Sequence, residues 1–220
     1  MEDHELKDIL VLFNPKRSQQ YEFKRCFVRT LQDVNIDKTA CTLNIRHLAP
    51  NSVAYELKLM VTNVDSYYFG LIGMEHMPIT VDDLEDLNIR AEKMILTEET
   101  RYGIKDRAAL ESLIIRMDFA PFGHDARPTI IDKATYLWYT ISTKQMFWNG
   151  NKRTALLTAI FFLKLNGYTF SLQDVAEEYN ISVAVAEGKM TSKQLHRHIE
   201  ENVTIDFDYL SRIAKSFLKS

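Results

Sequence analysis

Apolar residues recur along this chain with two different periods, and the change between them divides it near residue 77. In the first part the runs are short. Ile9-Leu10-Val11-Leu12-Phe13 is closed by Asn14-Pro15 and predicts a strand. Tyr21, Phe23, Cys26, Phe27, Leu31 and Val34 fall at helical spacing and predict a helix over about residues 18–34. Cys41 to Arg46 alternates as a strand does. Ala54 to Val61 and Tyr67 to Ile72 read as further strands. Residues 1–77 are therefore expected to form a small α+β unit, with no role assigned.

From Thr80 the period becomes helical, so residues 78–220 are expected to be mainly α. Thr80 is placed to cap a first helix, with Asp82 and Asp83 in its opening turn and Leu84, Leu87, Ile89, Ala91, Met94 and Ile95 as its apolar face. Arg101-Tyr102-Gly103 ends it. Asp106 caps a second helix carrying Ala109, Leu110, Leu113, Ile114 and Met117. Phe119 to Pro128 reads as a loop or short hairpin. Ile130 to Ser142 is a third helix, with Ala134, Leu137, Trp138 and Ile141 inward. A further helix starts at Lys152 and is closed by Asn166-Gly167. Asp174 to Tyr179, Ser182 to Glu187, Ser192 to Glu201 and Asp206 to Leu218 read as short helices.

Composition removes several classes. The 220 residues are 46% hydrophobic and 11% aromatic, enough for a packed core, and seven glycines and five prolines argue against disorder. Net charge is −3, so no global basic excess points to nucleic acid. Cys26 and Cys41 lack metal-site spacing and read as free thiols in a reducing compartment. The acidic start Met1-Glu2-Asp3 does not resemble a signal peptide, and the apolar runs are too short for a bilayer. A cytoplasmic protein without a membrane segment is expected.

The chemistry concentrates in Gln145-Met146-Phe147-Trp148-Asn149-Gly150-Asn151-Lys152-Arg153. Asn-Gly-Asn is a turn, and two cations follow in the first turn of a helix, where they oppose the helix dipole. That placement makes sense where an anion is held by the helix N–H groups and the two side chains, and a nucleotide phosphate fits best. A solvated basic helix end is the plainer alternative.

This loop resembles the Fic/Doc family, whose motif is H-x-F-x-[DN]-[GA]-N-[GK]-R. The chain matches it at Phe147, Asn149, Gly150, Asn151, Lys152 and Arg153, and the Lys followed by Thr154-Ala155-Leu156 is similar to the death-on-curing (Doc) branch. Gly103 to Ser112, Pro128 to Ala134 and Lys164 to Tyr168 resemble the flanking segments in the same order. The resemblance implies a helical bundle with the motif loop in a cleft. It also implies transfer of part of a nucleotide triphosphate, ATP or another, to a protein hydroxyl. Most relatives move AMP; Doc-type toxins move the terminal phosphate to a translation elongation factor.

Position by position, the resemblance assigns Asn149, Gly150, Asn151, Lys152 and Arg153 to the phosphates and Phe147 to pinning the loop. Asn149 would be a weak Mg²⁺ ligand where many relatives carry Asp. Phe122 and Arg127 lie where the family docks its target segment, with a plain helix connector as the equal alternative. Gln145 stands at the position of the catalytic His. An imidazole accepts a proton near neutrality; a carboxamide does not. The loss of such a base costs on the order of 10²–10⁴ in rate. The chain is therefore an engineered inactive form, a natural pseudoenzyme, or an enzyme with another base, for which His124 is the nearest candidate. A non-catalytic nucleotide- or protein-binding module on the same fold is the rival reading. A target protein and a separate antitoxin are the implied partners. Ser52 to Glu56 matches five positions of the family's inhibitory motif and reads as coincidence. His196 and His198, two apart, face different ways and do not suggest a shared metal.

Overall fold

The computed structural model describes residues 5–32, 41–50, 52–62, 66–93, 102–172 and 174–219. Met94, Ile95 and Val34, expected on helix faces, lie outside them. The chain forms two compact units. One gathers residues 1–76, 166–169 and 204–220; the other holds residues 77–165 and 170–203.

The first unit is built on a four-stranded mixed sheet of β1 (Leu6–Phe13), β2 (Cys41–His47), β3 (Ala54–Val61) and β4 (Tyr67–Met74), in the order β1-β4-β3-β2. β1 runs parallel to β4, and the other pairs are antiparallel. A parallel pair needs a long connection, and α1 (Arg17–Gln32) with β2 and β3 lies between β1 and β4 in the chain. Leu10, Val11, Leu12 and Phe13 are all buried, so both faces of β1 are covered, as their continuous apolar run requires. The last helix, α8 (Phe207–Phe217), packs on this strand. Its Ser211 donates to Asp8 (3.0 Å), Lys215 pairs with Asp8 (2.9 Å), and the Phe207 ring meets Phe27 edge-on at 4.8 Å. The helical period of residues 206–218 grouped them with the helical region; their apolar side, Leu210 and Ala214, serves the sheet instead.

Gly167 has φ +79°, and a Cβ there would overlap the Leu210 side chain, so glycine is required on both counts. Tyr168, wholly buried, donates to Glu22 (3.2 Å) and accepts from Gln19 (2.7 Å). Ser52 to Glu56 runs into β3, where Glu56 pairs with Arg46 at 2.8 Å. The partial inhibitory motif is thus strand, not helix.

The second unit is helical: α2 (Val81–Lys93), α3 (Arg107–Asp118), α4 (Ile130–Thr143), α5 (Asn151–Leu165), α6 (Val175–Ala186) and α7 (Ser192–Glu201). α4 is its centre, and α3, α5, α6 and α7 all pack on it. Ile130, Ile131, Ala134, Leu137, Trp138 and Ile141 are fully buried along it. The indole N–H of Trp138 donates to Ser182 of α6 at 2.7 Å, which satisfies both polar groups inside the core. The two short helices expected at Asp174 to Tyr179 and Ser182 to Glu187 are one, α6. Asn180 is a weak helix former, but it is exposed, and the buried Ser182 has its partner in Trp138. Two three-residue strands, β5 (Tyr168–Phe170) and β6 (Val203–Ile205), pair with each other and were not foreseen. Among the described residues, no helix is long and apolar enough to cross a membrane.

Candidate functional site

Residues 144–150 connect α4 to α5, and this loop is held from three directions within the helical unit. Phe147 is fully buried. Its backbone pairs with Ile104 in an isolated bridge. On either side of it, Met146 O accepts from the N–H groups of Lys105 (2.9 Å) and Asp106 (3.1 Å), and Trp148 N–H donates to Gly103 O (3.0 Å). The segment before α3 therefore runs alongside the loop and fixes its path.

The second support is Asn88 on α2, which is wholly buried. Its Nδ2 donates to Asn149 O (2.9 Å) and to Thr154 Oγ1 (3.0 Å), and its Oδ1 accepts from Gly103 N–H (2.9 Å). One carboxamide ties together α2, the segment before α3, the loop and the first turn of α5. Residue-type reasoning missed it. The signal was a polar residue on the apolar face defined by Leu84, Leu87 and Ala91.

The third support is internal. Asn151 Oδ1 accepts from Phe147 N–H and Asn151 Nδ2 donates to Phe147 O, both at 2.9 Å, so this side chain closes the loop on itself. The same Nδ2 reaches Gln145 Oε1 at 3.4 Å. Gly150 turns the chain with φ +73°, a left-handed conformation natural to glycine, and the helical ladder begins with Thr154 N–H to Gly150 O at 2.8 Å.

The result is a cleft of about 380 Å³. Gln145, Asn149, Gly150, Asn151, Lys152 and Arg153, the residues singled out in the sequence, all line it. So do Ser142 and Thr143 at the end of α4, and Trp148. Tyr179, Ala186 and Glu187, in and just after α6, close the opposite side and were not anticipated. The start of α5 leaves its first N–H groups without helical acceptors, as every helix does, and here that end faces the cleft. Ser142 lines the cleft, but its Oγ is buried away from it and has no hydrogen-bond partner among the described residues.

Charge in the cleft is of both signs. Lys152 and Arg153 stand on the α5 side, and among the described residues Glu187 carries the one carboxylate of the lining. The Lys189 ammonium, 2.6 Å from Glu187, holds that carboxyl below the usual range, and Lys152 adds to the effect. Among the described residues no group of three or more His, Cys, Asp or Glu could hold a metal ion.

Phe122, Arg127 and His124 are not in the cleft lining. Phe122 sits in a 3₁₀ turn (Pro121–Gly123) at φ +54°, its ring fully exposed. Arg127 lies over the Tyr136 ring, 3.8 Å from its centroid, and donates to Arg116 O at 2.7 Å, which ties the loop to α3 and α4. His196 and His198 do face apart: His196 meets Asp132 of α4 at 3.1 Å, and His198 meets Glu178 of α6 at 2.9 Å.

A model of the Fic/DOC family matches residues 78–163. A curated relative, Toxin Doc of Mycolicibacterium smegmatis, is 30% identical over 92 residues, which cover 40% of this chain and 71% of the relative. The chain belongs to the Fic/Doc family. The family match takes in α2, α3, α4, the loop and most of α5. It stops short of α6, so the wall of the cleft formed by Tyr179 and Glu187 lies outside it. Within the Fic/Doc motif this member has an amide, Gln145, at the first position.

Proposed function

We propose that this Fic/Doc protein binds a nucleoside triphosphate, ATP or another, in the cleft before α5 and belongs to the toxin-like transferases that modify a protein hydroxyl. In this form Gln145 suppresses the transfer step. The observation that carries this reading is the meeting of Asn149, Gly150, Asn151, Lys152 and Arg153 around one cavity at a helix start. Backbone N–H groups at such an end favour an anion, and the Arg153 guanidinium suits a bidentate phosphate contact. The relative named Toxin Doc favours the toxin-like side of the family and, with it, a target protein and a separate antitoxin as partners.

Transfer to a hydroxyl requires that its proton leave as the oxygen attacks phosphorus. The amide of Gln145 has no useful basicity. Glu187, held by Lys189 and Lys152, is a weakened base. His124 does not line the cavity. Binding is therefore retained and turnover suppressed.

Mg²⁺ is the cation that commonly accompanies nucleoside triphosphates. The cleft offers it the amide of Asn149 and a carboxylate already paired with Lys189. That donor set suits a hard dication poorly, and no step is assigned to it.

The test is Gln145→His. Incubated with ATP labelled at the α or γ position and a cell extract, the variant is expected to label a protein that the unaltered chain does not, and the position of the label that transfers names the group moved. A folded Gln145→His protein that neither binds nucleotide nor labels anything overturns the reading and leaves the rival, a binding module on this fold.

A further inference from the structure

We infer that Gln145 is a phosphate-binding donor: its side-chain N–H₂ faces the cleft and holds a phosphoryl oxygen of the bound nucleotide, so that the position normally given to proton removal is used for retention. This rests on the nucleotide reading given above.

The argument is one of hydrogen-bond direction. A backbone N–H only donates, so Phe147 N–H, 2.9 Å from Asn151 Oδ1, requires the oxygen of the Asn151 amide on that side. The nitrogen of Asn151 then lies on the other, where it donates to Phe147 O at 2.9 Å. The orientation of Asn151 is thus set by two backbone groups and is not free to flip. Its Nδ2 also faces the Gln145 amide at 3.4 Å. A donor on Asn151 selects the oxygen of Gln145; the flipped amide would set N–H against N–H. The contact is long and weak, but it decides the direction. Nε2 of Gln145 is left on the other side, with two hydrogens and no acceptor among the described residues.

Gln145 is exposed and lines the cleft shared with Lys152 and Arg153. An N–H₂ group there meets an ionised phosphoryl oxygen favourably, because hydrogen bonds to charged acceptors are about twice as strong as neutral ones. A target hydroxyl gains no proton acceptor from it.

The test compares ATP and adenosine binding by calorimetry for the full chain and for Gln145→Met, Gln145→Glu and Arg153→Ala, each first shown to be folded by its thermal transition. Gln145→Met keeps length and removes the donor; ATP affinity is expected to fall about tenfold, from the strength of a hydrogen bond to a charged group. Gln145→Glu puts a repelling acceptor there and should weaken ATP further. Adenosine, which has no phosphate, should bind all Gln145 variants alike. If Gln145→Met and Gln145→Glu bind ATP as the unaltered chain does while Arg153→Ala loses it, the donor role is wrong and the nucleotide reading survives. If adenosine affinity falls with ATP affinity in the Gln145 variants, the contact is not to phosphate and the inference fails. If the unaltered chain binds no ATP, both fall.

Discussion

At the scale of single residues, two carboxamides organise the site and neither is charged. Asn88 satisfies a carbonyl, a hydroxyl and an N–H at once; the Thr154 hydroxyl is buried and the other two contacts are partly so. Replacing it with leucine leaves buried polar groups unpaired, at about 1–3 kcal/mol for each that finds no other partner. Asn88→Leu should therefore lower the thermal transition by several degrees and weaken ATP binding as well, since the loop it supports also forms the cleft; calorimetry reads the first and titration the second. Arg153 gives a sharper contrast. Arg153→Ala is expected to weaken ATP at least tenfold, and Arg153→Lys to recover only part of that loss, because an ammonium lacks the planar fork. The glycine–asparagine turn and its cations were legible in the sequence because each is an unusual residue type in an unusual place. Asn88 was not, since a polar residue on a helix face looks like an interruption until its partners are known. Glu187 and Tyr179 escaped for a different reason: they come from a helix that follows the loop by some 25 residues, and only tertiary packing brings them to it.

At the scale of elements, α4 is the part on which most of the helical unit depends. Its N-terminus carries a reciprocal cap: Thr129 Oγ1 accepts from Asp132 N–H (3.1 Å) and Asp132 accepts from Thr129 N–H (3.2 Å). Asp132 also meets His196 of α7. Burial pushes the Asp132 carboxyl up, but hydrogen bonds from His196 and Thr129 outweigh this and leave it below its ordinary value. A depressed carboxylate stabilises the fold fully above its unfolded value, near 3.9, and the contribution fades as pH falls through the lower folded value. In urea unfolding between pH 5 and 2, Asp132→Asn should thus show a shallower acid loss than the unaltered chain, together with lower stability at pH 7. Equal acid slopes would remove Asp132 from the account. The helices α3, α4, α5 and α7 were readable from period and caps. The break expected within α6 was not real: Ser182, in the middle of the helix, is buried and accepts from a tryptophan 44 residues away. Strands β5 and β6 were too short to leave a period.

At the scale of the whole molecule, local pattern carries the least information. Residues 206–218 have a helical period that says they are amphipathic but not which apolar surface they cover. Gly167 is the place where this can be checked. Gly167→Ala needs a strained positive φ and sets a methyl into Leu210. It should destabilise by roughly 1–3 kcal/mol from strain alone, and Leu210→Ala in the same chain should relieve part of that, a non-additivity measurable by denaturant unfolding.

The order of manufacture is the other consequence. β1 is translated before α8, the helix that covers it, and the whole cleft-bearing unit lies between them in the chain. The sheet must wait through translation of the entire cleft-bearing unit before it can be finished. Ribosome-bound chains arrested before residue 207 should hold that sheet open to protease, with a clipping pattern that disappears once α8 has emerged.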